Sequence, residues 1–172
     1  KMSNNKTVFF TLGILQIILG ISMIFPVAVQ VIFNELDSSF ISASLITIIF
    51  GTLFSLSNLD QEKKLNLKQA FLLTALSWIS VATFGSLPFL FSELNLNFTD
   101  SFFESMSGIT TTGSTIIVDL NSTPKAILLW RAILQWLGGI GIIVMAITLM
   151  PIMNVGGMQL LKVSSSDSSE KI

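Results

Sequence analysis

Four long uncharged runs constrain this chain more than any other feature. They cover Thr7 to Asn34, Ser38 to Leu59, Gln69 to Ser92 and Ala132 to Leu161. A helix needs roughly 20 apolar residues to cross the ~30 Å hydrocarbon core of a bilayer, and every run meets that length with room for tilt. Backbone polar groups in lipid must find partners within their own segment, so such runs fold as helices. A secretory signal peptide is the competing reading of the first run, but its apolar core would be about 7–15 residues before a small-x-small cleavage site. The first run is longer and carries bulky residues around Pro26, which predicts a spanning helix kinked or ended there.

Composition agrees. Hydrophobic residues make up 51% of the 172 positions and charged ones 11%, a membrane-protein balance. A net charge of −1 with no basic block argues against nucleic acid as a partner. With neither Cys nor His, disulfides, thiolate chemistry, the usual zinc and haem sites and imidazole acid–base catalysis are not expected.

Glu35 and Asp37 mark a short polar turn, so the first two runs should form an antiparallel hairpin. Asp60 to Lys68 is the most charged segment and reads as a water-facing loop. With four spans, Lys1, Lys6, Lys63, Lys64, Lys68, Lys162 and Lys171 share one side. Lys125 and Arg131 fall on the other, with Glu35, Asp37, Glu93, Asp100, Glu104 and Asp119. The lysine bias places the N-terminus, the middle loop and the serine-rich tail in the cytoplasm.

The stretch from Phe98 to Pro124 lies between the last two spans and is too polar to cross a membrane. Phe102, Phe103, Met106 and Ile109 suit a helix dipping into protein, and Ser101 with Glu104 fits a capping box. About ten residues at 1.5 Å each give ~15 Å, half the bilayer core. The C-terminus of such a helix aims its negative dipole end at the membrane centre, which favours a cation. Thr110, Thr111, Thr112, Gly113, Ser114 and Thr115 then form a turn rich in uncharged oxygens. Carbonyls and hydroxyls of this kind can replace the water shell of a monovalent ion, and Gly113 permits the positive φ that turns successive carbonyls to one axis. An ordinary surface loop is the competing reading. The half-length helix and the flanking spans favour a re-entrant pore loop, because unpaired backbone at membrane depth must be buried or wet.

These residues carry a resemblance. FTDSFFESMSGITTTGSTI, LPFLF before it and WRAILQWLGGIGIIVMAITLMPIMNVGGMQL after it resemble the first pore domain of the Trk/Ktr/HKT potassium transporters, and among them the TrkH/TrkG branch. The resemblance covers roughly Lys68 to Leu161, and the hairpin before it is similar to that branch's extra N-terminal domain. It implies an all-α membrane protein in which four helix–pore loop–helix units on one chain surround a pore. The implied layout is an N-terminal transmembrane hairpin over 1–60, a cytoplasmic loop over 61–68 and a first pore unit over 69–161. Within that unit the spans cover 69–92 and 126–161, and the pore helix and filter 98–118. A cytoplasmic linker over 162–172 follows.

The implied filter is Thr110, Thr111, Thr112 and Gly113, with K+ as the transported ion. The implied partners are membrane lipid, further pore units of the same longer chain, a cytoplasmic nucleotide-binding ring of the TrkA/KtrA type and a second copy of the full-length protein. The implied location is the bacterial inner (plasma) membrane. Only one unit is present, so a fragment of a longer protein is expected. A stand-alone homotetrameric channel and a non-conducting structural subunit are the alternatives.

Other residues have plainer expectations. Gly138, Gly139 and Gly141 suit close helix packing, and Pro151 with Gly156 and Gly157 should end or bend the last helix. Glu104 reads first as a cap and second as a partner for Arg131, since a charge in a membrane usually has one. Asp119 and Glu93 read as solvated charges or as an electronegative vestibule. Trp78, Trp130 and Trp136 should be interfacial or packing residues.

Overall fold

The computed structural model describes residues 5–35, 37–59 and 66–152, the last five by backbone alone. Residues 61–65, the glycines at 156 and 157, the linker over 162–172 and five of the seven cytoplasmic-side lysines lie outside the described residues. Every regular element among the described residues is a helix: α1 (Lys6–Ser22), α2 (Ile24–Phe33), α3 (Ser39–Leu56), α4 (Leu67–Gly85), α5 (Leu87–Phe91), α6 (Phe98–Ile109) and α7 (Lys125–Ile152). Among the described residues four segments are long and apolar enough to cross a membrane: Lys6–Phe33, Ser39–Leu56, Leu67–Phe91 and Lys125–Ile147.

The first segment kinks rather than ends near Pro26. Proline has no N–H to give the Ser22 carbonyl one turn back, and helix geometry lapses at Met23. The chain then leaves α2 through Asn34 in the left-handed region (φ 54°). The third segment breaks likewise at Ser86, with Pro88 in the first turn of α5.

Lipid tails are as apolar as the helices, so helices associate through close packing and interhelical hydrogen bonds. A Cβ at Gly13 in α1 would lie 2.6 Å from the Ser55 nitrogen of α3, which only glycine tolerates. One turn pair further on, the Ser44 hydroxyl donates to the Gly20 carbonyl (2.8 Å). Between α1 and α4, Gln16 Nε2 donates to Ser80 Oγ (2.8 Å).

The hairpin and the segments after it share one core. Leu19, Met23 and Phe40 pack with Ala82, Phe89, Ile127, Trp130 and Leu134. Trp130 is fully buried, meets Phe40 edge-on at 6.1 Å and donates its indole N–H to the Gly85 carbonyl (2.9 Å). It is therefore a packing residue, whereas Trp136 is 67% exposed. Glu35 makes the second tie. Its two carboxylate oxygens accept from the backbone N–H groups of Lys125 (2.7 Å) and Ala126 (3.2 Å), which open α7. A carboxylate there satisfies two orphan donors and complements the helix dipole.

Candidate ion-coordination site

The short helix α6 is wedged between α4 and α7. It begins three residues before the expected capping box. Asn97, in an extended conformation, accepts from the Asp100 N–H (2.9 Å) and is the true cap. Ser101 therefore lies inside the helix, fully buried, with no partner for its hydroxyl among the described residues. Asparagine caps as well as serine does, and a cap four residues earlier gains just over one helical turn.

Ile109 lies in the core and Phe102 and Met106 pack against it, as expected of α6, but small and polar residues share its buried face. Ser101, Glu104, Ser105, Ser107, Gly108 and Ile109 face inward, while Phe103 is 44% exposed. Small residues win that face because the neighbouring backbones come close. A Cβ at Gly85 would sit 2.6 Å from Ser105 Oγ, and one at Gly108 3.0 Å from Leu134. At the end of α6 the Ile109 carbonyl occupies the space where a Cβ of Gly138 would stand. Gly138 lies about thirteen residues into α7, or ~20 Å along it at 1.5 Å per residue. The half-length helix thus ends beside the middle of α7. Gly138 fulfils the packing expectation. Gly139 and Gly141 do not, since nothing stands within 4 Å of a Cβ at either, and Gly141 borders an apolar cavity of about 430 Å³ between α1, α4 and α7.

The chain reverses at once after α6. Thr111 adopts φ 59° and Gly113 φ 77°. The N–H groups of Thr112 (3.0 Å) and Gly113 (3.3 Å) both donate to the Ser107 carbonyl, and Thr111 N–H donates to that of Gly108 (2.9 Å). Thr110 Oγ1 donates to the Met106 carbonyl (2.7 Å) and pairs with Thr112 Oγ1 (2.9 Å). The backbone N–H groups of Thr110 to Gly113 are thus directed back into the end of α6. Among the described residues, the carbonyls of Thr110, Thr111, Thr112 and Gly113 accept no hydrogen bond, and positions 111 to 116 are exposed. The next carbonyl, of Ser114, is taken by the Ser107 hydroxyl (2.7 Å). Four consecutive unpaired carbonyl oxygens at exposed positions are of the kind that can replace the water shell of a monovalent cation.

Glu104 supports this turn and does not cap the helix. Its side chain is fully buried, and Oε2 accepts from Arg131 Nε at 2.9 Å. Its Oε1 accepts from the Thr115 hydroxyl (2.5 Å) and the Ile116 N–H (2.6 Å). The expected link to Arg131 is present, and the contacts to Thr115 and Ile116 are ones that sequence reasoning missed. One turn along α7 from Arg131, Gln135 Nε2 lies 3.9 Å from where a Cβ of Gly113 would be, so the turn has open space on that side. Asp119 is solvent-exposed in the loop before α7, and hydrogen bonds from Ser122 and from the Asn121 backbone hold its carboxyl below the usual carboxylate value.

Residues 36–171 match the protein family TrkH, described as cation transport protein. The chain belongs to this family. Among its TrkH-family relatives, the Trk system potassium uptake protein TrkH of Escherichia coli is 43% identical over 150 residues, covering 86% of this chain and 31% of that protein. The Trk system potassium uptake protein TrkI of Halomonas elongata is 41% identical over 162 residues, covering 94% and 33%. The crystal structure of the potassium transporter TrkH from Vibrio parahaemolyticus aligns with a TM-score of 0.83 at 33% identity, over 94% of this chain and 35% of that one. The chain therefore spans about a third of the length of these relatives. Its fold is that of a TrkH-type membrane protein: a two-helix hairpin followed by a helix–pore loop–helix unit.

Proposed function

We propose that this chain supplies the hairpin and the first pore unit of a potassium uptake protein. The carbonyls of Thr110, Thr111, Thr112 and Gly113 are the ligands that this unit contributes to K+. The observation that carries this reading is the set of four unpaired carbonyls beyond the C-terminal end of a half-length helix. That end carries the negative pole of the helix dipole. An ion loses water at the turn, is held by uncharged oxygens and moves on down the potential, with no covalent step. The names of the E. coli and H. elongata relatives support potassium as the cargo.

One unit covers only part of an ion's shell, so the remaining filter turns come from further units of a longer polypeptide. The full-length protein sits in lipid of the bacterial inner membrane with its N-terminus cytoplasmic. It pairs with a second copy of itself and with a nucleotide-binding ring of the TrkA/KtrA type. Cross-linking of this chain in detergent tests the alternative homotetramer, which requires a defined four-copy species.

Replacing Gly113 with Ser in the full-length protein tests the filter. The space beside Gly113 is open, so the added side chain acts through backbone strain at φ 77°, at a cost of about 1–2 kcal/mol. Growth on limiting potassium should fail while the protein still reaches the membrane. Normal growth would leave the turn as mere packing.

A further inference from the structure

We infer that Glu104 and Thr115 are positioning residues that set the ion preference of the filter turn, an inference that rests on the function proposed above. The coordinating run from Thr110 to Gly113 is continuous with a limb, residues 114 to 117, that belongs to no helix or sheet. Such a limb has no ladder of backbone bonds to hold it. Among the described residues, only two side chains tether it from outside: the Ser107 hydroxyl at Ser114, and the Glu104 carboxylate at Thr115 and Ile116. Ser107 and Glu104 lie three residues apart and so share one face of α6. The near end of the limb is fixed by a neutral bond and the far end by charge-assisted ones, the stronger class.

Arg131 makes the far anchor possible. A buried carboxylate is costly in a membrane protein unless it is paired, and Arg131 Nε engages Oε2, which leaves Oε1 for the limb. The limb is thereby linked through one carboxylate to both α6 and α7. Where cavity size sets selectivity, ions of one charge but different radius are distinguished by how far the coordinating oxygens can follow them inward. A taut limb resists that collapse, and a slack one allows it.

The test uses the full-length protein in cells without other potassium uptake, reading the apparent KM for rubidium and the inhibition constant for sodium. Thr115→Val removes one hydroxyl at an exposed position and leaves the ion pair in place. The sodium-to-rubidium discrimination should fall several-fold, and Thr115→Ser should restore it. Glu104→Gln should lower it by about tenfold, the scale of one charge-assisted hydrogen bond, with Glu104→Asp intermediate. Wild-type discrimination in Thr115→Val would overturn the inference, and so would wild-type discrimination in Glu104→Gln. If Glu104→Gln fails to accumulate in the membrane, the Thr115 pair decides alone. Gly113→Ser is run in parallel. An unchanged ratio there sinks the filter reading itself, whereas a collapsed ratio there with unchanged Thr115 variants sinks this inference only.

Discussion

Glycines within four positions of one another in α7 do different work. At Gly138 the Ile109 carbonyl fills the space a side chain would need, so Gly138→Ala must push α6 and α7 apart. Overpacking of this kind costs about 1–3 kcal/mol, and the unfolding midpoint in detergent should fall accordingly. Gly139→Ala meets nothing within 4 Å. It should hold that midpoint or raise it, since alanine favours a helix by up to ~1 kcal/mol over glycine. The sequence shows three equivalent small residues in a span. Which of them touches another backbone depends on where α6 ends, and that is a tertiary fact.

The helix ends make the same point for whole elements. Asn97→Ala removes the acceptor for the Asp100 N–H and should cost about 1 kcal/mol. Ser101→Ala deletes a buried hydroxyl that has no partner among the described residues and should be neutral or stabilising. The two unfolding curves in detergent separate the observed cap from the capping box that the sequence suggests. The capping-box pattern points only to Ser101, yet the helix starts from Asn97, a residue that caps equally well. At the start of α7, Glu35→Ala removes the acceptor of two backbone N–H groups from a residue ninety positions away. Hydrogen exchange should then quicken at Lys125 to Leu128 and stay unchanged in α6. No local pattern could have revealed that cap, because it comes from the hairpin.

For the molecule as a whole, the hairpin and the pore unit form a single packed body. Phe40 of α3 lies against Trp130 of α7, and Glu35 grips the same helix at its first turn. The orientation of that body in the bilayer rests on lysine distribution, and these 172 residues hold no cysteine to compete with an introduced one. Asp119→Cys and Lys68→Cys are both at exposed positions, on opposite sides of the proposed membrane. In intact cells an impermeant maleimide should label the first and spare the second. The reverse pattern would invert the topology and aim α6 the wrong way.

The sequence by itself determined the four spans, the short helix between the last two and the oxygen-rich turn after it. Each of these follows from local properties: run length, hydropathy and the conformational freedom of Gly113. Tertiary structure alone decided which oxygens are free. Thr110 to Gly113 and Ser114 look alike as residues, yet only Ser114 has its carbonyl taken, because Ser107 stands one turn back on α6. It likewise decided that Glu104 braces the turn, since the partners of a buried charge are whatever backbone and side chains the packing of α6 against α7 brings within reach.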